Sequence, residues 1–277
     1  MPYVSIGAEQ KAQYDKDGYL IVKNFLKNEE VKLLYALATG DDTMKDHAID
    51  LNDQSGKRTK LTLWFTPGDD TFGLLTRTER MVDAAQAILG EGEVCHFHSK
   101  LMQKEPRVGG AWEVHQDYGY WYKNGFLFPD AMLSIMLSLT KATKENGCLQ
   151  VLRGSHKMGR IEHDFAGEQQ GADPDFVDEA MKKFERVYVE LEAGDALFFH
   201  SNLLHMSEAN LSDKPRWSLI SVYNLSYNKP FREKNTSCYT PVSVVPDEAI
   251  LSSAPSSLSD KTDFLRKENE ITLQVKS

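Results

Sequence analysis

At 277 residues and 31.4 kDa the chain has room for one large unit or two small ones, and 41% hydrophobic with 26% charged residues is an ordinary soluble composition. The formal net charge of −9 and pI near 5.4 argue against general binding to nucleic acid or anionic membrane, which needs a basic face, and leave room for a local basic pocket that takes a small anion. Cys95, Cys148 and Cys238 are scattered and form no CxxC pair, which argues against a disulfide framework and fits small core residues in a reducing compartment.

From the start, MPYVSIGAEQKAQYDKDG is polar and lacks the apolar core of a signal segment. No run of about 18 apolar residues follows, and the QVKS ending is not a peroxisomal address, so a cytoplasmic protein is expected. Residues 8–17 read as a short helix stopped at Gly18, and YLIVKNFL (19–26) as a strand. Asn28 is a candidate N-cap for the helix EEVKLLYALA, whose first turn is acidic. A second helix is predicted over 70–89, ending at Gly90, with an apolar stripe of Leu74, Leu75, Met81, Ala85, Ile88 and Leu89.

From about residue 93 the character changes to short β-type runs: VCHFHSKLMQ, AWEVHQD, AMLSIMLSLT, CLQVL, VYVELEAGDALFF and WSLISVYNLSY. Turn signals at Gly109-Gly110, Asn146-Gly147, Gly154 and Gly194-Asp195 separate them, a spacing that indicates a sandwich or barrel. Residues 157–186 form a charged insertion, expected to be part helix and part surface loop. The Pro- and Ser-rich tail beyond 241 is expected to wrap the surface. A single unit over 1–277 accounts for this: helix–strand–helix support (1–92), a β core (93–228) and a C-terminal extension (229–277).

Candidate chemistry begins in WEVHQDYGYWY, where His115 and Asp117 lie two apart. On a strand such residues share a face and can reach one divalent ion. Alone, His-x-Asp is a weak signal among eight histidines. A second histidine would complete the facial triad that leaves coordination positions open on non-haem iron. FFHSNLLHMSEAN supplies two, His200 and His205. Arg216 follows His205 by eleven residues at the start of WSLISVYN. Its planar fork suits the far carboxylate of a bound dicarboxylate, and Ser207 can add a hydroxyl donor. Surface salt bridging is the alternative for Arg216.

The chain resembles the phytanoyl-CoA dioxygenase family over most of its length. HQD (115–117), KENGCLQVLRGSHK (144–157), EAGDALFFHSNLLHMSEAN (192–210) and PRWSLISVYN (215–224) look like its blocks in order, and YDKDGYLIVKNFLKNEEV resembles its N-terminal segment. The resemblance implies a mainly β protein with flanking helices, built on a double-stranded β-helix (a cupin-like jelly-roll). It implies iron(II) on His115, Asp117 and His205, and Arg216 and Ser207 on the distal carboxylate of 2-oxoglutarate. His200 falls on a position that does not bind metal. Lys100 and Met102 lie on the strand where relatives place cosubstrate contacts, and Met136 matches a pocket-lining position. The reaction implied consumes O2 and 2-oxoglutarate, releases succinate and CO2, and hydroxylates an unactivated C–H bond, with ascorbate as reductant in vitro. Asp117 also sets the chain apart from related halogenases, which replace this carboxylate with a small residue.

Tyr118, Tyr120, Trp121 and Tyr122 read either as a substrate-pocket wall, as in the ectoine hydroxylases this stretch resembles, or as packing. His96 and His98 are expected to be core or pocket histidines, His156 to fix a loop, and His47 and His163 to lie on the surface. The expected substrate is a small molecule, a free polar metabolite rather than an acyl-CoA given the acidic charge, bound by a monomer or homodimer. Oxidative cyclisation or desaturation would use the same cofactors, and a ligand-binding β-helix without chemistry is the non-enzymatic alternative.

Overall fold

The computed structural model describes residues 5–166, 168–232 and 240–266. In chain order it contains α1 (Ala8–Asp17), β1 (Tyr19–Val22), α2 (Asn28–Gly40), α3 (Asp42–Asp46), β2 (Ile49–Asn52), β3 (Arg58–Trp64), α4 (Thr71–Arg77), α5 (Glu79–Leu89), β4 (Val94–Lys104), β5 (Trp112–His115) and α6 (Asp117–Asn124). There follow β6 (Met132–Ser138), β7 (Leu149–Leu152), β8 (His163–Ala166), β9 (Gln169–Ala172), α7 (Pro174–Lys183), β10 (Arg186–Val189), β11 (Ala196–His200), β12 (His205–Ser207), β13 (Arg216–Leu225), β14 (Thr240–Pro241) and α8 (Ala249–Ser252).

Two antiparallel sheets face each other. The larger runs β1-β11-β6-β13-β4-β3-β2, with β14 also on β4, and the smaller runs β10-β7-β12-β5. This is the mainly β jelly-roll with flanking helices that the motifs imply. Alternation divides the central strands between two cores. On β6, Leu133, Ile135 and Leu137 join the cluster shared with Leu34, Met81 and Ile88 of the helices, while Met132 and Met136 join Val151, Phe199 and Val222 between the sheets. Because both faces are covered, β6 and β13 are buried throughout, and their polar residues (Ser134 and Ser138; Arg216, Ser218, Ser221 and Asn224) are buried with them.

Several local expectations change. The helix predicted from an Asn28 cap begins at Asn28, with Lys27 in the cap position. The predicted 70–89 helix is two helices: Thr78 takes extended backbone (φ −61°, ψ 150°) and breaks it. Residues 1–92 contribute β2 and β3 to the large sheet as well as β1, so this segment is more than helix–strand–helix support. The 157–186 insertion contains the β8–β9 hairpin as well as α7. Among the described residues no helix is long and apolar enough to cross a membrane. Cys95 and Cys148 are buried free thiols; Cys238 lies outside the described residues.

Candidate metal centre and its surroundings

His115 closes β5, His205 opens β12, and the two strands pair with these residues opposite each other. Their rings lie 4.1 Å apart. Asp117 does not continue the strand, as its i+2 spacing suggested. It is the first residue of α6, and its carboxylate turns back towards both imidazoles: Oδ1 is 3.9 Å from each Nε2. Among the described residues these are the one group whose donor atoms all lie within 4.8 Å, the reach of a single ion.

The donor chemistry fits a divalent metal. His115 Nδ1 sits 2.7 Å from the Glu113 carbonyl and His205 Nδ1 2.9 Å from that of Leu203. A carbonyl only accepts, so each ring carries its hydrogen on Nδ1 and turns an Nε2 lone pair inward. Burial, above all, holds the imidazoles below their ordinary pKa, His115 well below, and so keeps them unprotonated. Burial pushes the Asp117 carboxyl the other way, but Lys100, His205, His115 and a hydrogen bond from Ser134 outweigh it and hold Asp117 ionised. Lys100 Nζ stands 3.7 Å from Asp117 Oδ1, and Ser134 Oγ donates to Oδ2 at 2.8 Å.

Gln116, between His115 and Asp117, ties the centre to the rest of the protein. Its side chain donates to the carbonyls of Gly159 (2.7 Å) and Asn202 (2.8 Å) and accepts from the Ile161 N–H (2.7 Å). Its own N–H donates to His163 Nε2 at 2.9 Å, and His163 Nδ1 donates to the Ile161 carbonyl. His163, expected on the surface, is therefore a buried brace whose pKa burial lowers to about 4. Sequence reasoning passed over Gln116 and Ser134 and misplaced His163 on the surface. Ser134 alone had a signal, as a polar residue on the inward phase of an apolar strand.

A row of alternate residues leads from the centre along the large sheet. Across β6, β13 and β4, Met136 and Lys100 flank Ile220, Ser138 and Met102 flank Ser218, and beyond them Arg216 pairs with Lys104. Four strand residues separate the Ile220 and Arg216 rows, about 13 Å. Arg216 is buried, as is Ser207 on the facing strand β12.

On the other side of the metal triad a cavity opens. His98, Lys100, Trp112, His115, Asp117, Tyr120 and Trp121 line it, together with the amides of Asn124, Gln169 and Gln170 and an apolar rim that includes Phe65 and Leu265. Tyr118 is not part of this wall: it turns into the core and donates to the Phe126 carbonyl at 2.9 Å. Tyr122 is largely exposed, with Arg160 over its ring. His96 is buried against Ser99. His156 contacts the Asp15 carbonyl, and His47 stacks on Phe264. His200 faces away from the triad, with Nε2 3.0 Å from Asp130 and Nδ1 accepting from Asn202 N–H.

A jelly-roll with two histidines and a carboxylate at one mouth defines the class of non-haem metal oxygenases. The profile of the family described as phytanoyl-CoA dioxygenase matches residues 14–218, and the chain belongs to that family. It is a 2-oxoglutarate-dependent dioxygenase. L-proline trans-4-hydroxylase of Streptomyces griseoviridis is 28% identical over 80% of this chain and 88% of its own length. An ectoine dioxygenase of Bordetella parapertussis is 27% identical over 81% and 77%. The solved structure of EctD from S. alaskensis with bound Fe superposes with a TM-score of 0.70 at 25% identity, covering 87% of this chain and 88% of that one.

Proposed function

We propose that His115, Asp117 and His205 hold iron(II), that Arg216 and Ser207 hold the distal carboxylate of 2-oxoglutarate, and that the cavity beside them admits a small molecule for hydroxylation. The convergence of two Nδ1–H-pinned imidazoles and an ionised carboxylate carries this reading. When bound, iron(II) supplies the redox chemistry that couples decarboxylation of 2-oxoglutarate to oxidation of a C–H bond.

The chain's own residues do the rest. Ser134 fixes Asp117 by one oxygen and leaves the other facing the imidazoles. Lys100 stands between the metal site and the Arg216 row, where it can meet the keto-acid end of the cosubstrate. Met102 and Met136 give that track an apolar lining. Tyr120 and Trp121 line the substrate cavity.

The cavity also narrows the substrate. Among its described lining residues Asp117 is the one acid, and the metal would occupy it. The buried Trp112 Nε1 and His98 Nε2 have no hydrogen-bond partner among the described residues. A pocket with aromatic walls, unfilled ring nitrogens and no counter-ion for an ammonium suits a ring-bearing molecule with acceptor oxygens and no free positive charge. Such a molecule differs from the zwitterions for which the proline and ectoine enzymes are named.

The test is succinate formation with iron(II), ascorbate and 2-oxoglutarate across a metabolite library sorted by charge. Stimulation is expected from neutral or anionic ring compounds; stimulation confined to amino acids would overturn the substrate class. His115→Ala and Asp117→Ala should each abolish succinate formation and weaken iron(II) binding while leaving the circular dichroism unchanged. Undiminished iron(II) affinity in both would refute the ligand assignment.

A further inference from the structure

Arg216 is not the only cation at its end of the sheet. Lys104 lies directly across from it in the β4–β13 register, wholly buried, and Arg216 is 4% exposed. Like charges facing each other across strands repel. Neither cation has an acidic partner within salt-bridge distance among the described residues, and Arg216 Nε has no hydrogen-bond partner. The Arg216 Nη1 contact to Ser218 Oγ is long, at 3.4 Å. Two buried cations without a counter-ion make a place that an anion would stabilise.

Lys104 is also held in one position. Its Nζ donates to Ser207 Oγ at 2.7 Å and to the Glu208 carbonyl. Its own carbonyl accepts from Asn210 Nδ2 at 3.1 Å. Gly109 packs so closely on its backbone that a β carbon there would stand 2.8 Å from the Lys104 Cα. An ammonium has no lone pair, so the Ser207 oxygen must be the acceptor in their contact. The Ser207 hydroxyl hydrogen is thereby turned away from Lys104 and left available to another acceptor.

We infer that Lys104 is a positioning residue for the cosubstrate: it anchors the Ser207 oxygen so that the hydroxyl donates to the distal carboxylate gripped by Arg216. This rests on the assignment of that carboxylate to Arg216 and Ser207. Burial, followed by the neighbouring Arg216, depresses the Lys104 pKa well below that of a free lysine. A carboxylate seated beside Arg216 would oppose that shift and hold Lys104 as the ammonium that its contact with Ser207 requires.

The experiment is anaerobic calorimetry of 2-oxoglutarate binding to the iron(II)-loaded protein, where binding is read without turnover. Lys104→Met and Ser207→Ala should each weaken binding about tenfold or more, the scale of one hydrogen bond to a charged group. The double variant should lose little beyond Ser207→Ala, because the lysine acts through the serine. In steady state the KM for 2-oxoglutarate should rise while kcat at saturation holds. Iron(II) affinity, read by chelator competition, should not move. Unchanged binding in Lys104→Met, or additive losses in the double variant, would overturn the inference. Where Lys104→Met does not fold, Lys104→Gln serves: it keeps an N–H donor and should lose less than Ser207→Ala, and a loss as large as that of Ser207→Ala would count against the inference. Arg216→Ala separates the two readings. If it leaves 2-oxoglutarate binding intact, the carboxylate assignment fails; if it weakens binding while Lys104→Met does not, only the role of Lys104 fails.

Discussion

Gly119 shows how little room surrounds His115 and Asp117. It is the third residue of α6, and a β carbon there would fall 2.2 Å from His163 Cε1 and 2.3 Å from Nδ1. His163 is braced by Gln116 N–H on one side and the Ile161 carbonyl on the other, so the ring cannot swing aside without breaking one of them. Gly119→Ala should therefore destabilise the protein by about 1–3 kcal/mol, the range for overpacking a dense interior. It should also weaken iron(II) binding, because the strain falls on the backbone between His115 and Asp117. Denaturant midpoints and chelator competition would read both; a variant as stable as the parent would show that the hairpin yields freely. His115 and Asp117 were legible because they lie two apart in one short run; His205 stands far along the chain, and the family resemblance singled it out from His200. The brace was not legible: IEHDF presents His163 among charged neighbours, and only the hairpin's docking against α6 buries it.

At the scale of elements, the sequence marks apolar stripes and turns better than the points where one element becomes another. His115 and Asp117 were expected on one strand face, yet the chain changes from β5 to α6 at Gln116, and the aromatic run is helical. The two side chains still converge because the helix starts immediately beside the strand end. β2 and β3 escaped notice because β2 is a short edge strand and exposed Arg58 and Lys60 interrupt the apolar signal of β3. Nor does sequence reveal how α2 is fastened to α5. Arg80 Nη1 and Nη2 each donate to Glu30 at 2.9 Å, both side chains are 1% exposed, and Asp247 Oδ1 lies 3.7 Å from Arg80 Nε. A buried bidentate pair is costly to break, since the remaining charge stays in the interior. Glu30→Ala is expected to lose about 3–5 kcal/mol. The denaturant midpoint should fall with an unchanged m-value. Iron(II) affinity should be retained, because this clamp packs against the helical face of the large sheet. A loss below about 1 kcal/mol, the range of exposed pairs, would show the pair to be solvated in solution.

For the whole molecule, the class of fold was visible in the succession of β runs and turns, and the acidic net charge describes the surface only. The interior is different: Lys104, Arg216 and a set of unprotonated histidines occupy the space between and behind the sheets. That inventory sets how the protein responds to acid. Burial pushes His96 and His163 down from an ordinary 6.5 to about 4. Above about 6.5 both are neutral folded or unfolded, and neither affects stability. Below it the unfolded chain takes up protons that the folded chain refuses, so stability falls with pH until about 4, where the folded state also protonates. A shift of that size corresponds to at most about 3.5 kcal/mol for each histidine. His115 and His205 are depressed in the same direction and add to the slope in metal-free protein. The contribution of His163 is isolated by comparing the pH dependence of the urea midpoint in the parent and in His163→Gln between pH 6.5 and 5, above most carboxylate titration. The variant should show a slope shallower by up to one proton. Parallel slopes would mean that His163 titrates in the folded protein as it does in water, and that its hydrogen bonds to Gln116 and Ile161 do not hold it neutral.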